Sequence, residues 1–77
     1  MHLILKSLTG KDKNIEIDSS ATVSDLKEII AQTELISKEQ QRLVCIGKIL
    51  GNENETLSSY KLSSGNVIHM VLALRGG

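Results

Sequence analysis

Thr22-Val23-Ser24-Asp25-Leu26-Lys27-Glu28-Ile29-Ile30-Ala31-Gln32-Thr33-Glu34 decides the fold, because its apolar residues recur with a helical period. Val23, Leu26 and Ile30 fall at i, i+3 and i+7 on one face. Thr22 stands ahead of them with a side-chain oxygen for the unpaired N–H groups of the first turn. Asp25, three residues on, is placed to return the bond. The predicted helix spans 23–34. Lys27 lies on its apolar side and needs a carboxylate or carbonyl partner, with Glu53 and Glu55 as candidates. Leu35 occupies the position after the helix where a left-handed Gly or Asn is usual.

Outside this helix the period changes to two. Met1, Leu3 and Leu5 alternate with His2, Ile4 and Lys6, which predicts a strand with one buried face. Leu8-Thr9-Gly10-Lys11 is a turn signal. Ile15 and Ile17 then point inward, with Asn14, Glu16 and Asp18 outward, so the two strands form a hairpin with a small bulge at Gly10. Lys13 shares the inward parity and is expected to snorkel to water at the sheet end. Ile36 to Glu39 is a connector. Gln41, Leu43 and Cys45 alternate with Arg42 and Val44 in a third strand, and Ile49-Leu50 is a stub of a fourth. Gly51 to Glu55 is a loop, and Thr56 to Tyr60 reads as a one-turn capped helix that buries Leu57. The last strand, 67–71, buries Ile68 and Met70 and exposes Val67, His69 and Val71. The order β-β-α-β-β-β predicts an α+β fold, with one sheet and one helix packed across it.

Size and composition exclude much. A chain of 77 residues makes one small domain. Lys plus Arg is 9 and Asp plus Glu is 9, so no charge excess points to nucleic acid or an anionic membrane. Tyr60 is the sole aromatic residue, which leaves no base-stacking platform. One cysteine allows no disulfide framework, so the reducing cytoplasm and nucleus are the expected locations. The start at Met1 runs directly into a strand pattern with no signal peptide, and no apolar run suits a spanning helix. There is no phosphate loop, nucleophile elbow or metal motif. Cys45 is read as a small apolar strand residue, and His2 and His69 as surface histidines. Catalysis by this chain is not expected, and neither a cofactor nor a metal is implied.

Two features remain. Parity places Ile4, Val44, His69 and Val71 on the sheet face away from the helix, with Leu8 at its rim and Lys6, Arg42 and Lys48 around it. Clustered aliphatics on an open face predict a small docking patch with weak, transient and, through His69, pH-dependent binding. The chain then runs Leu72-Ala73-Leu74-Arg75-Gly76-Gly77. Two residues without Cβ can pass through a slot that any side chain would block. Arg75 offers a planar cation to fix register beside it. The expectation is a tail threaded into other proteins, with the Gly77 carboxylate as the reactive group.

Across its whole length the sequence resembles ubiquitin. The matching pieces are Leu8-Thr9-Gly10-Lys11, Gln40-Gln41-Arg42-Leu43, Gly47-Lys48, Thr56-Leu57-Ser58 with Tyr60, and His69 through Gly77, in register with one extra residue within Gly51 to Glu55. The resemblance implies a ubiquitin-like β-grasp: a mixed five-stranded sheet, first and last strands parallel and central, one helix across it and a short second helix. It divides the chain into a domain over 1–71 and a flexible conjugation tail over 72–77. Ala73 stands where ubiquitin carries arginine, and with Glu28 and Tyr60-Lys61 it is more similar to the Nedd or Rub type of modifier. An activating enzyme that places a cation opposite this position repels arginine and tolerates alanine.

What the resemblance implies for function is specific. The Gly77 carboxylate would be adenylated with ATP, passed as a thioester to an activating and then a conjugating enzyme, and joined by an isopeptide bond to a lysine of a target such as a cullin. A ligase and a deconjugating protease complete the partners; the chain itself is expected to be a monomer in its mature form. Leu72, Ala73, Leu74, Arg75 and Gly76 would guide the tail, Ala73 setting enzyme choice. Leu8, Val44, His69 and Val71 would form the main patch, and Ile36, Leu72 and Leu74 a second. Lys6, Lys11, Lys27 and Lys48 match possible acceptor lysines. Departures from ubiquitin include Leu35 for a glycine, with strain of about 1–3 kcal/mol, and Ser37-Lys38 for a proline pair, giving a looser connector. Two alternatives are a divergent ubiquitin used for degradation tagging and a ubiquitin-like domain that binds without being conjugated.

Overall fold

The computed structural model describes residues 1–6 and 10–72. Its elements are β1 (His2–Lys6), β2 (Asp12–Glu16), α1 (Val23–Glu34), a single 3-10 turn (Lys38–Gln40), β3 (Gln41–Cys45), β4 (Lys48–Ile49) and β5 (Val67–Leu72). The strands form one sheet in the order β2-β1-β5-β3-β4. β1 and β5 pair in parallel at its centre, Ile4 with Val67 and Lys6 with His69. The other three pairings are antiparallel. This is the α+β, ubiquitin-like β-grasp arrangement expected from the sequence.

α1 begins with both bonds of a capping box. The Asp25 amide donates to Thr22 Oγ1 at 3.2 Å, and the Thr22 amide donates to the Asp25 carboxylate at 3.0 Å. Two further first-turn amides are taken up from outside the helix: Val23 N donates to Glu55 O and Ser24 N to Glu53 O, at 2.9 and 3.1 Å. The 51–55 loop is thereby laced to the helix N-terminus. Val23, Leu26 and Ile30 are fully buried against Leu3, Leu5, Leu43, Cys45 and Ile68 on the sheet. Ile15, Leu50, Leu57, Leu62 and Met70 belong to the same core. Each large aliphatic so buried stabilises the fold by about 1.5–3 kcal/mol before chain entropy is subtracted.

Lys27 is buried on the same face, and its ammonium lies 3.5 Å from the Glu53 carboxylate; Glu55 instead accepts from Ser59. Lys13 differs from expectation. Its ammonium forms an ion pair with Glu34, a carboxylate in the last turn of α1, so it braces the helix end as well as reaching solvent. A cation beside the C-terminal helix dipole is favourable, and α1 carries no basic residue of its own there.

The helix ends as the sequence indicated, with Leu35 left-handed at φ 57°. The connector after it is braced rather than loose. Lys38 Nζ donates to Ser24 Oγ at 2.7 Å and approaches Glu28 at 3.4 Å. The buried Gln41 amide donates to the carbonyls of Lys27 and Ile36, both at 3.0 Å. The short second helix also lies elsewhere than expected. It is the Lys38–Gln40 turn, whereas Thr56 makes an isolated bridge with Thr22 and 57–61 is a succession of turns. Thr56 still caps there, accepting from Ser59 N at 3.1 Å, and Leu57 is still buried. Lys61 then turns left-handed at φ 61° and stops helical propagation. Ile17, expected to face inward at the end of β2, lies just beyond the strand and packs partly buried against the core. β1 and β2 pair without interruption from His2↔Glu16 to Lys6↔Asp12. Gly10 takes φ 81°, a left-handed turn conformation. The bulge expected there involves residues 7–9, outside the described residues.

Candidate functional site

The pleat decides what the open side of the sheet presents. Since Leu5, Ile68, Met70, Leu43 and Cys45 face the helix, their chain neighbours face away. The register aligns Lys6 with His69, His69 with Val44, and Val44 with Ile49. That is one continuous row over β1, β5, β3 and β4, roughly 14 Å long at about 4.8 Å per strand. Beside it, Val71 pairs with Arg42 and Ile4 with Val67. Val71 is 49 % exposed and His69 is exposed, while Val44 and Ile4 are half-buried. The structure therefore brings Val44, His69 and Val71 onto one face, as expected. Leu8, the fourth member of that patch, lies outside the described residues.

Two members were missed from sequence. Ile49 is 61 % exposed and Ile46, in the turn before β4, is 59 % exposed. β4 is two residues long, too short for alternation to be read, so only pairing with Val44 shows where Ile49 belongs. Ile46 carries a stronger signal. With Gly47 it makes the two-residue turn between Cys45 and Lys48, at φ 53° and 71°. Two left-handed residues define the hairpin turn that favours Asn-Gly. A β-branched residue there is an outlier, costing about 1–2 kcal/mol.

The second expected patch is partly in view. Leu72 pairs with Gln41, whose side chain bonds the Ile36 carbonyl, so Leu72 and Ile36 flank the same glutamine. Ile36 is half-buried and Leu72 is 37 % exposed; Leu74 lies outside the described residues. Ala73, Arg75, Gly76 and Gly77 also lie outside them. β5 runs through Leu72, one residue past the expected domain boundary.

The four expected acceptor lysines are not equivalent. Lys6 and Lys11 are exposed. Lys48 is exposed and donates to the Tyr60 carbonyl at 3.2 Å. Lys27 is buried and paired with Glu53, so its amine meets no incoming reagent without local opening. Cys45 is fully buried, and burial pushes its thiol pKa up against the opposing pull of the Lys48 ammonium. That holds it as the thiol, the unreactive form. Among the described residues no cluster of His, Cys, Asp or Glu could hold a metal, and no helix is long and apolar enough to cross a membrane.

Comparison with known proteins covers the same ground. The ubiquitin family model matches residues 3–75. The chain is 43 % identical over all 77 residues to ubiquitin-like protein 1 of Schizosaccharomyces pombe, covering 97 % of that protein. It is 42 % identical over the same 77 residues to the ubiquitin-like protein NEDD8 of Dictyostelium discoideum, covering 99 % of it. It is likewise 43 % identical over its full length to the NEDD8-like protein RUB3 of Arabidopsis thaliana, covering 97 % of that protein.

Proposed function

The chain belongs to the ubiquitin family, and from that premise we propose that it is a ubiquitin-like modifier of the Nedd or Rub type, attached through Gly77. The observation that carries the proposal is the end-to-end correspondence with relatives of that type, 99 % of one of them being covered. A carrier domain of this kind needs a stable body and a surface for its handlers. The buried core and the open aliphatic face meet both needs.

The chemistry follows from the carboxylate. A Gly77 oxygen attacks the α-phosphorus of ATP on an activating enzyme, and pyrophosphate leaves. A cysteine thiolate of that enzyme attacks the acyl-adenylate carbonyl, AMP departs, and a thioester remains. Exchange to the thiol of a conjugating enzyme keeps the acyl group activated. The ε-amine of a target lysine then attacks, the thiol leaves, and an isopeptide bond is formed. Throughout, the chain supplies the acyl group and the positioning contacts. Gly76 and Gly77 enter the enzyme's slot, and Arg75 fixes register. Ala73 excludes enzymes built for arginine, and Val44, His69 and Val71 hold the body against the partner. A ligase, a deconjugating protease and cullin-type targets are the remaining partners on this reading, in cytoplasm and nucleus.

A charging assay tests it. The chain is offered with ATP and magnesium to a Nedd-type and to a ubiquitin-type activating enzyme separately. A thiol-sensitive adduct is expected with the first, and Ala73→Arg is expected to gain an adduct with the second. Preferential charging of the wild type by the ubiquitin-type enzyme overturns the subtype.

A further inference from the structure

We propose that Lys61 is an acceptor amine of this chain, to which the Gly77 carbonyl of a second copy is joined. The inference rests on the reading of Gly77 as an activated acyl group, and it names a lysine that receives one. The thioester of the second copy, carried on a conjugating enzyme, is the co-reactant. The Lys61 amine, having shed a proton, attacks the thioester carbonyl. A C–N bond forms, the C–S bond breaks, and the thiol leaves with a proton from the amine.

The other lysine amines are held or covered. Lys27 is buried against Glu53, and Lys13 pairs with Glu34. Lys38 donates to Ser24 Oγ at 2.7 Å and lies 3.4 Å from Glu28. Lys48 donates to the Tyr60 carbonyl at 3.2 Å. Lys11, although exposed, also has a partner. Lys6 faces Asp12 across β1 and β2 and stands in the row with His69 and Val44, where a docked protein covers it. An ammonium must leave its acceptor before it can act as a nucleophile, so each such contact slows attack. Lys61 is exposed, and among the described residues its ammonium has no partner.

The backbone beneath that amine is a second, independent observation. Leu62 N donates to Leu57 O at 3.3 Å and Lys61 N to Ser58 O at 2.9 Å, which is the paired bonding of a Schellman turn. Leu57 and Leu62, both buried, are the apolar pair that accompanies it. Lys61 is its left-handed residue at φ 61°, a position where glycine or asparagine would carry less strain. A side chain that gains no partner and strains its own turn is poorly explained by stability. Leu57 N donates to Ala21 O and Ser58 N to Ser19 O, so the turn is tied to the segment ahead of α1. Lys61 therefore projects from a braced turn on the helix side of the sheet, away from the face that carries Val44, His69 and Val71. A copy acylated there keeps that face open for its own partners.

The test has a chemical and an enzymatic arm, both on the full chain. In the first, a limiting amount of N-hydroxysuccinimidyl acetate is added and each lysine is followed by peptide mass spectrometry. Lys61 is expected to be acetylated about 2–10 times faster than Lys48, the ratio that one hydrogen bond sets, with Lys27 slowest. Equal or slower acetylation of Lys61 overturns the proposal. In the second, the chain is incubated with ATP, magnesium and Nedd-type activating and conjugating enzymes, then digested with trypsin. Cleavage after Arg75 leaves Gly76-Gly77 on the acceptor amine. That remnant is expected on Lys61 of wild type and of Lys48→Arg, and chain-to-chain adducts are expected to fall several-fold in Lys61→Arg. A thioester without a remnant on Lys61 overturns the acceptor and leaves the reading of Gly77 standing. If no thioester forms, both fail. Lys61→Asn is expected to raise Tm by a few degrees, and a fall would show that the lysine serves the fold instead.

Discussion

On the helix side of the sheet, Leu3, Leu5, Leu43 and Ile68 have no solvent exposure at all, while on the other side Ile49 and Val71 stand 61 % and 49 % exposed. The same five strands present both faces, and alternation along each strand assigns residues to them. One face is sealed by α1, with a capped start and a brace at Glu34. Among the described residues nothing covers the other, although Val44, Ile49 and Val71 stand on it. The difference teaches that hydrophobicity alone does not identify core: position in the register does. Apolar residues on the sealed face contribute to folding free energy, whereas those left in water on the open face contribute little to it.

The comparison can be broken most simply by truncating one residue on each face. Leu43→Ala leaves a cavity under α1 and is expected to cost about 2–5 kcal/mol, a large part of a small domain's stability. Val71→Ala is expected to change stability by no more than about 0.5 kcal/mol. Urea denaturation of the two variants decides it, and equal losses would mean that the open face is structural.

A second probe concerns Lys27, a buried charge on the sealed side. Glu53→Gln leaves the Lys27 ammonium buried without its carboxylate and is expected to cost about 1–2 kcal/mol, since Glu53 itself is half in water. Lys27→Met removes the buried charge and is expected to be neutral or stabilising. A strongly destabilised Lys27→Met in thermal melts would show that the ion pair holds the 51–55 loop in place.

Smaller effects separate strain from packing. Leu35→Gly relieves a left-handed leucine that is 89 % exposed, and is expected to stabilise by up to about 1 kcal/mol after the extra freedom of the unfolded glycine is subtracted. Loss of stability there would mean that the leucine packs usefully. Smallest is Asp18, whose carboxyl is held below its ordinary value by bonds from the Ser20 amide and hydroxyl. A depressed folded value contributes stability above the unfolded pKa near ~3.9 and loses it as pH falls through the folded value. Asp18→Asn should therefore flatten the stability curve below about pH 4, as followed by circular dichroism.

Much of this architecture was legible in the residues. Strict alternation in Met1 to Lys6 and the Thr22–Asp25 box each admit one local structure, and the structure adopts it. Thr56 to Tyr60 was ambiguous because a capped turn and a one-turn helix share the same local chemistry; the left-handed Lys61 decides between them. The Lys13–Glu34 pair and the Lys38 brace join residues 21 and 14 positions apart, beyond the reach of local pattern. Ile49 was hidden by the brevity of β4, and Ile46 lies in the turn before it, where alternation does not apply. Within the expected patch, parity was sufficient for Val44, His69 and Val71 because they lie in strands long enough to show it.

The most direct test is tandem mass spectrometry of adducts that the full chain forms in an ATP-supplied extract, compared with the chain lacking Gly76 and Gly77. The account predicts branched peptides in which the Gly77 carbonyl is joined to a lysine ε-nitrogen, and none from the shortened chain. Adducts of equal abundance from the shortened chain would contradict it.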